Sequence, residues 1–200
     1  STAGTYTITY TATDASGNVG TADRTVNVFV IAVGGFYQGG VVFHIFGAGE
    51  TGYVSGETHG LIAAVRDQTD GMPYGIRWHN GNNILCGTTS FYTTGAANTD
   101  AIIAAQGTGL YAAGVARAYT GGGFTDWFLP SYDELNKMYT KKATINTTAS
   151  ANGGSNFSTN WYWSSTEWRF DKAWRQRISN GSRNDGEKEL GRDVRAVRAF

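Results

Sequence analysis

Glycine recurs 28 times in 200 residues, and that density constrains the fold more than any other feature. Each glycine inside a helix costs about 1 kcal/mol relative to alanine, so long helical bundles are disfavoured and turns must be frequent. Trp, Tyr and Phe supply 14% of the residues, enough bulky apolar surface to fill a core between those turns. The combination predicts a turn-rich β or α+β protein, and this length suits one ordinary domain or one domain plus a fragment of another. Lys and Arg together number 16, as do Asp and Glu, so no global field favours nucleic acid or an anionic membrane as partner. No apolar run approaches the roughly 20 residues that cross a bilayer, so no membrane insertion is expected of these residues. Cys86 stands alone, which rules out an intrachain disulfide and leaves stability to packing.

Two segments at the start alternate with period two. In Thr5 to Ala12 the larger apolar groups alternate with threonines, and Thr25 to Val30 resumes the pattern after the turn-forming Asp14-Ala15-Ser16-Gly17-Asn18. A β-hairpin with one buried and one wet face is the expectation. From Ile31 the composition shifts to clustered glycine, which places a domain boundary near residue 31 and gives units 1–31 and 32–200.

In the second unit, Val41 to Phe46, Leu61 to Val65 and Gly75 to Trp78 read as short strands. Asn98-Thr99-Asp100 reads as the cap of a helix through Ala105, and Leu110 to Tyr119 as a second helix ended by glycines. Ser131 and Glu134 form a capping box for a third, whose apolar face is Leu135, Met138 and Tyr139. The small polar residues from Ala143 to Thr159 suggest a surface loop. Trp161 to Trp163, Ala173 to Ser179 and Val194 to Phe200 complete the strands, with a turn at Asn180-Gly181.

Two resemblances attach to these residues. AGTYTITYTATDASGNVGTADRTVNV resembles the last two strands of bacterial immunoglobulin-like repeats, which implies that the chain belongs to something longer; a hairpin of the main domain is the alternative. GGVVFHIF, GLIAA, AANTDAII, GGGFTDWFLPSYDELNKMY, YWSSTE, AW and VRAVRAF, in that order, resemble the C-terminal domain of collagen-like bacterial adhesins. The resemblance implies an α+β, C-type-lectin-like fold with short strands and two or three helices, an extracellular place on a cell or phage surface, and ligand binding without catalysis. The final phrases also look like the fixed frame of the variable proteins of diversity-generating retroelements. Those bind ligands through a mutagenised C-terminal surface, here about 161–200. An Asn codon randomised at its first two positions never encodes Lys, Glu, Gln, Met or Trp, so the resemblance implies that Trp168, Lys172, Gln176, Glu187, Lys188 and Glu189 are framework or derive from other codons.

The residues themselves also point to a surface there. Nine of the 16 basic residues follow residue 168, interleaved with acids. On a strand, Trp174 and Ile178 face one way, read as core, while Arg175, Arg177 and Ser179 face the other, a polar row suited to binding. The expected ligand-contacting residues are Trp168, Arg169, Phe170, Asp171, Arg175, Arg177, Ser179, Ser182, Arg183, Asn184, Asp185, Leu190, Gly191, Arg192 and Asp193. Trp127, Trp161, Trp163 and Trp174 are assigned mainly to packing, with Trp168 a partly exposed anchor. Arg195 and Arg198 are expected to pair with carboxylates such as Asp126. The partner class is a protein or carbohydrate on another cell or particle. A non-diversified adhesin binding glycan or matrix polymer is the second reading.

Enzymatic and metal chemistry finds little support. Cys86 has no accompanying thiol-nucleophile motif, and the related formylglycine-generating enzymes use two cysteines. His44, His59 and His79 lack zinc spacing. No Glu-Pro-Asn or Gln-Pro-Asp loop marks a calcium-dependent sugar site, although Asp67, Asp70 and Asp126 remain available to a structural calcium. No cofactor is expected, and the glycine clusters lack a phosphate-loop pattern.

Overall fold

The alternating N-terminal segments pair as antiparallel strands β1 (Gly4–Thr13) and β2 (Val19–Val28) in the computed structural model, which describes residues 3–89 and 94–200. Asp14 closes the turn: its Oδ1 accepts the Ser16 and Asn18 amides, both at 2.9 Å, and Gly17 supplies the positive φ of 86°. The expected buried face is absent within this unit. Tyr6, Ile8 and Tyr10 are each about half exposed, because a two-stranded ribbon offers no second layer to cover them. The chain divides into two units, Ser1–Ala32 and Val33–Phe200.

The second unit is α+β. Strands β3 (Phe36–Tyr37), β4 (Gly40–Ile45), β5 (Gly60–Ala64) and β9 (Val197–Ala199) form one antiparallel sheet in the order β3-β4-β5-β9. Strands β6 (Trp161–Arg169), β7 (Lys172–Arg177) and β8 (Arg183–Glu187) form another, in sequence order. The core joins them through Val41, Phe43, Leu61, Tyr162, Ile178 and Val197. The helices are α1 (Gly95–Gln106), α2 (Ala112–Ala118), α3 (Tyr132–Thr140) and α4 (Lys142–Ala151).

Three sequence expectations change. The first helix starts earlier than Asn98: Thr94 is its cap, and Asn98 and Thr99 lie buried inside the helix. There Asn98 Nδ2 donates to Ser165 Oγ at 3.1 Å and Thr99 Oγ1 accepts the Leu129 amide at 3.0 Å, so these polar groups tie α1 to neighbouring segments instead of starting it. The stretch after Ala143 begins with helix α4, making four α-helices among the described residues instead of two or three. Ile145 and Ala149 are one turn apart and fully buried, and burying an isoleucine contributes about 1.5–3 kcal/mol, which outweighs the weak helix propensity of the surrounding threonines. Gly75 to Trp78 makes no full strand; only a bridge between Ile76 and Arg192 forms. The capping box is as expected, with Ser131 Oγ accepting the Glu134 amide and Glu134 Oε2 accepting the Ser131 amide at 2.8 Å.

Candidate ligand-binding site

The C-terminal sheet rests on charges that are wholly enclosed. Glu167 at the end of β6 and Lys188 just past β8 have fully buried side chains, with Nζ 2.5 Å from Oε1. Every remaining valence is used. Glu167 also accepts the Cys86 and Thr88 amides and the Thr88 hydroxyl, while Lys188 donates to the Ile84 and Phe170 carbonyls and lies over the Trp78 ring. Arg195 is equally enclosed against Asp67, at 2.6 Å, and Arg198 pairs with Asp126 as expected. Two of the three carboxylates considered for a structural ion are therefore occupied by arginines. Asp70 lies 3.4 Å from Ser155 Oγ, and no group of three metal-ligating side chains occurs among the described residues. Burial and the adjacent Glu167 carboxylate push the Cys86 thiol up, away from the reactive thiolate.

The outer part of the sheet carries cations of a different kind. Register places Trp161 opposite Arg177 and Trp163 opposite Arg175, so alternation sets Trp161, Arg175 and Arg177 on one face. The Arg175 guanidinium lies 4.6 Å from the Trp161 ring centre and that of Arg177 5.7 Å. Arg192 joins them from the segment after β8. Burial holds the Arg175 guanidinium below the usual arginine range, with the like charge of Arg192 next in weight, and burial does the same to Arg192. Arg175 Nε donates to Asn184 at 3.0 Å, and Arg192 Nη1 to the Gly191 carbonyl at 2.6 Å. None of the three arginines forms an ion pair with a carboxylate of the described residues.

Beside this group opens a cleft of about 380 Å³, walled by Met72, Pro73, Tyr74, Asn160, Trp161 and Arg192. A backbone bridge sets its width: the Ile76 amide donates to the Arg192 carbonyl at 2.9 Å, and the Arg192 amide to the Ile76 carbonyl at 3.0 Å. Such close passage requires glycine on both sides. A Cβ on Gly75 would come within 2.5 Å of the Arg192 oxygen, and one on Gly191 would overlap the Tyr74 carbonyl.

The expected contact residues do not share one face. Arg175 and Arg177 lie over Trp161, Asn184 bonds Arg175, and Arg192 lines the cleft beside them. On the opposite face Arg183 lies over Tyr132, Trp168 packs edge-on against Trp174, and Lys172 pairs with Asp185 at 2.7 Å. Arg169, Phe170 and Asp171 form the β6–β7 turn, where Arg169 bonds Asp171 at 2.7 Å and Phe170 is 55% exposed. Ser179 and Ser182 lie exposed at the β7–β8 turn, and Leu190 is partly exposed. Two expectations need correction. Asp193 is buried, its carboxylate used by Ser158, Asn160 and Thr69, so it belongs to the frame. Gly191 faces the Tyr74 backbone and has no room for any side chain.

Trp174 also differs from its reading as core: it is half-buried, stacked between Trp168 and Tyr132. Trp161, assigned to packing, stands at the centre of the arginine group. Tyr74, 86% exposed, was not anticipated; a large aromatic held in a Pro-Tyr-Gly turn was the available signal. Of the six residues set aside as framework, Gln176 and Lys188 are buried, whereas Trp168, Glu187 and Glu189 are exposed.

An α+β frame of short antiparallel strands and helices is the C-type-lectin-like class of fold. The chain belongs to the family of the Lcl C-terminal domain, which it matches over residues 64–198. Residues 1–28 match a bacterial surface protein Ig-like domain. No curated protein matches the chain. Among the described residues, no helix is long and apolar enough to cross a membrane.

Proposed function

We propose that this chain is an extracellular recognition module of a surface-displayed adhesin or phage particle, binding a protein or carbohydrate ligand without catalysis through the Trp161–Arg175–Arg177–Arg192 face and its adjoining cleft. One observation carries the reading. The Arg175 and Arg177 guanidinium groups lie over one indole with Arg192 lining the adjoining cleft, and none of the three forms an ion pair among the described residues, whereas Arg195 and Arg198 of the closing strand are each paired with a carboxylate. Arg, Trp and Tyr are also the residues most enriched among interface hot spots. The match of residues 1–28 to a bacterial surface Ig-like domain supports surface display.

Within this reading the chain is a diversity-generating retroelement variable protein, its changeable positions being Arg175, Arg177, Ser179, Ser182, Arg183, Asn184 and Arg192. Their exposure or half-exposure on an outer sheet supports this, since replacements at such sites usually change stability by about 0.5 kcal/mol or less. The flanking gene sequence tests it. A reverse transcriptase and a near-copy repeat differing at adenines are expected, and their absence would remove the retroelement and leave a fixed adhesin. The binding face is tested separately, by presenting the protein to arrays of glycans and displayed peptides. Replacing Arg175, Arg177 and Arg192 together with Ala is expected to abolish capture, and a signal that survives assigns the ligand to another surface.

A further inference from the structure

Met72 stands between two clefts of opposite character. On one side lies the cationic and aromatic cleft of Tyr74, Trp161 and Arg192. On the other lies a cleft of about 360 Å³ whose apolar walls are Leu110, Val115, Ala118, Tyr119 and Met72 itself. The buried polar residues bordering the second cleft are engaged, and Arg66 is tied by one bond. Asp67 holds Arg195 and the Tyr162 hydroxyl, Gln68 bonds the Arg66 carbonyl and the Ala196 amide, and Arg66 bonds the Gly153 carbonyl at 2.7 Å. Apart from the exposed Arg66 guanidinium and the Tyr119 hydroxyl at its edge, what remains for a ligand there is hydrocarbon. Leu110 is 74% exposed at its rim, as Tyr74 is at the rim of the first, so large apolar groups stand in water on both sides of Met72.

The two clefts select a chemistry together that neither selects alone. Guanidinium groups without an ion-pair partner favour a carboxylate, which arginine can hold through two parallel hydrogen bonds. A hydrocarbon-walled cleft disfavours a sugar, whose hydroxyl groups would lose water there without finding partners. An extended peptide satisfies both, because successive side chains leave its backbone in opposite directions and carry different chemistry a few ångströms apart.

Building on the recognition face proposed above, we propose that its ligand is a protein segment bearing an acidic side chain next to a large apolar one, straddling Met72. The carboxylate meets Arg192 and Arg175 beside Trp161. The apolar side chain enters the cleft of Leu110, Val115 and Tyr119.

The test is selection of the whole chain against a library of displayed random short peptides, with acidic and neutral glycans arrayed in parallel. Enriched peptides are expected to pair Asp or Glu with a nearby Leu, Ile, Phe or Met. A synthetic copy of an enriched peptide should bind at least about ten-fold more weakly to Arg192→Ala, to Arg175→Ala and to Leu110→Ser, and amidating its acid should cost as much. Leu110 is exposed, so its variant reports binding and not folding; matched unfolding midpoints check all three. Failure to enrich any peptide overturns the proposal, as does an enriched peptide indifferent to Leu110→Ser. A glycan whose capture depends on Arg175 and Arg192 but not on Leu110 also overturns it while leaving the recognition face standing. Capture indifferent to all the arginines sinks both.

Discussion

Lys188 and Arg192 lie four residues apart, yet the protein treats their charges in opposite ways. Lys188 is sealed from water and given a carboxylate, two carbonyls and an indole face. Arg192 donates to one carbonyl and shares a cleft with Trp161, over which Arg175 and Arg177 lie, and none of the three forms an ion pair among the described residues. A buried ion loses several kcal/mol of hydration and persists only when fully paired, so the first arrangement fixes the chain path between Ile84 and Phe170. The second leaves its guanidinium groups without an ion-pair partner in direct contact. Frame and proposed recognition surface thus differ in how completely each cation is paired, more than in residue type.

The contrast breaks most visibly if the enclosed pair is opened. Glu167→Ala strands Lys188 in the interior and is expected to destabilise the Val33–Phe200 unit by about 3–5 kcal/mol, read as a fall in the urea midpoint. Glu167→Gln combined with Lys188→Met removes both charges and should recover much of that loss. A cost below about 1 kcal/mol for Glu167→Ala would mean that the pair does not anchor the sheet.

Arg192→Ala should divide the other way. Ligand affinity is expected to fall by about 2 kcal/mol or more, roughly thirty-fold, while the unfolding free energy moves by about 0.5 kcal/mol or less. Comparable losses in both measurements would erase the distinction between frame and surface.

Gly191→Ala probes the line between them. The added Cβ meets a backbone carbonyl that cannot rotate aside, so a destabilisation of about 1–3 kcal/mol is expected, typical of overpacking. An unfolding midpoint unchanged from the parent would return Gly191 to the changeable positions.

These sites were unequally legible in the sequence. The capping box at Ser131 and the period-two strands follow from local pattern, and the structure has them; the pairing of Arg198 with Asp126, 72 residues apart, was expected only from the place of Arg198 in the closing phrase VRAVRAF. The alternation in β7 was also readable, which brought Arg175 and Arg177 to one face. Its inside and outside were not, because period two gives two faces without saying what covers either. Trp174 therefore emerged half-buried against Trp168 and Tyr132, and Trp161 stood among the arginines. Helix α4 was hidden because threonine and alanine carry little amphipathic signal, and burial of Ile145 and Ala149 depends on a sheet far away in sequence. The cleft was out of reach for the same reason: Tyr74 and Arg192 meet only through the Ile76 bridge, across more than half of the second unit.

Between the sealed pair and the open arginines lies an exposed but paired cluster, which supplies the smallest test. Glu50 accepts the Gly47 amide, Lys137 Nζ at 2.7 Å and His44 Nε2 at 2.9 Å, and these hold its carboxyl down to about 2 from an ordinary 4.5, the Gly47 amide foremost. A carboxyl that resists protonation in the folded state stabilises that state above its unfolded value. The contribution is therefore complete above about pH 4.5 and is lost as pH falls toward 2. Because the Glu50 side chain is 37% exposed, solvent screens the interaction and the contribution should stay below about 1 kcal/mol. Urea midpoints of the parent and of Glu50→Gln, compared above and within that window, should differ at neutral pH and converge in acid. If they differ by several kcal/mol, partial exposure does not weaken pairing here, and the degree of enclosure is not what separates the Lys188 pair from the rest of the surface.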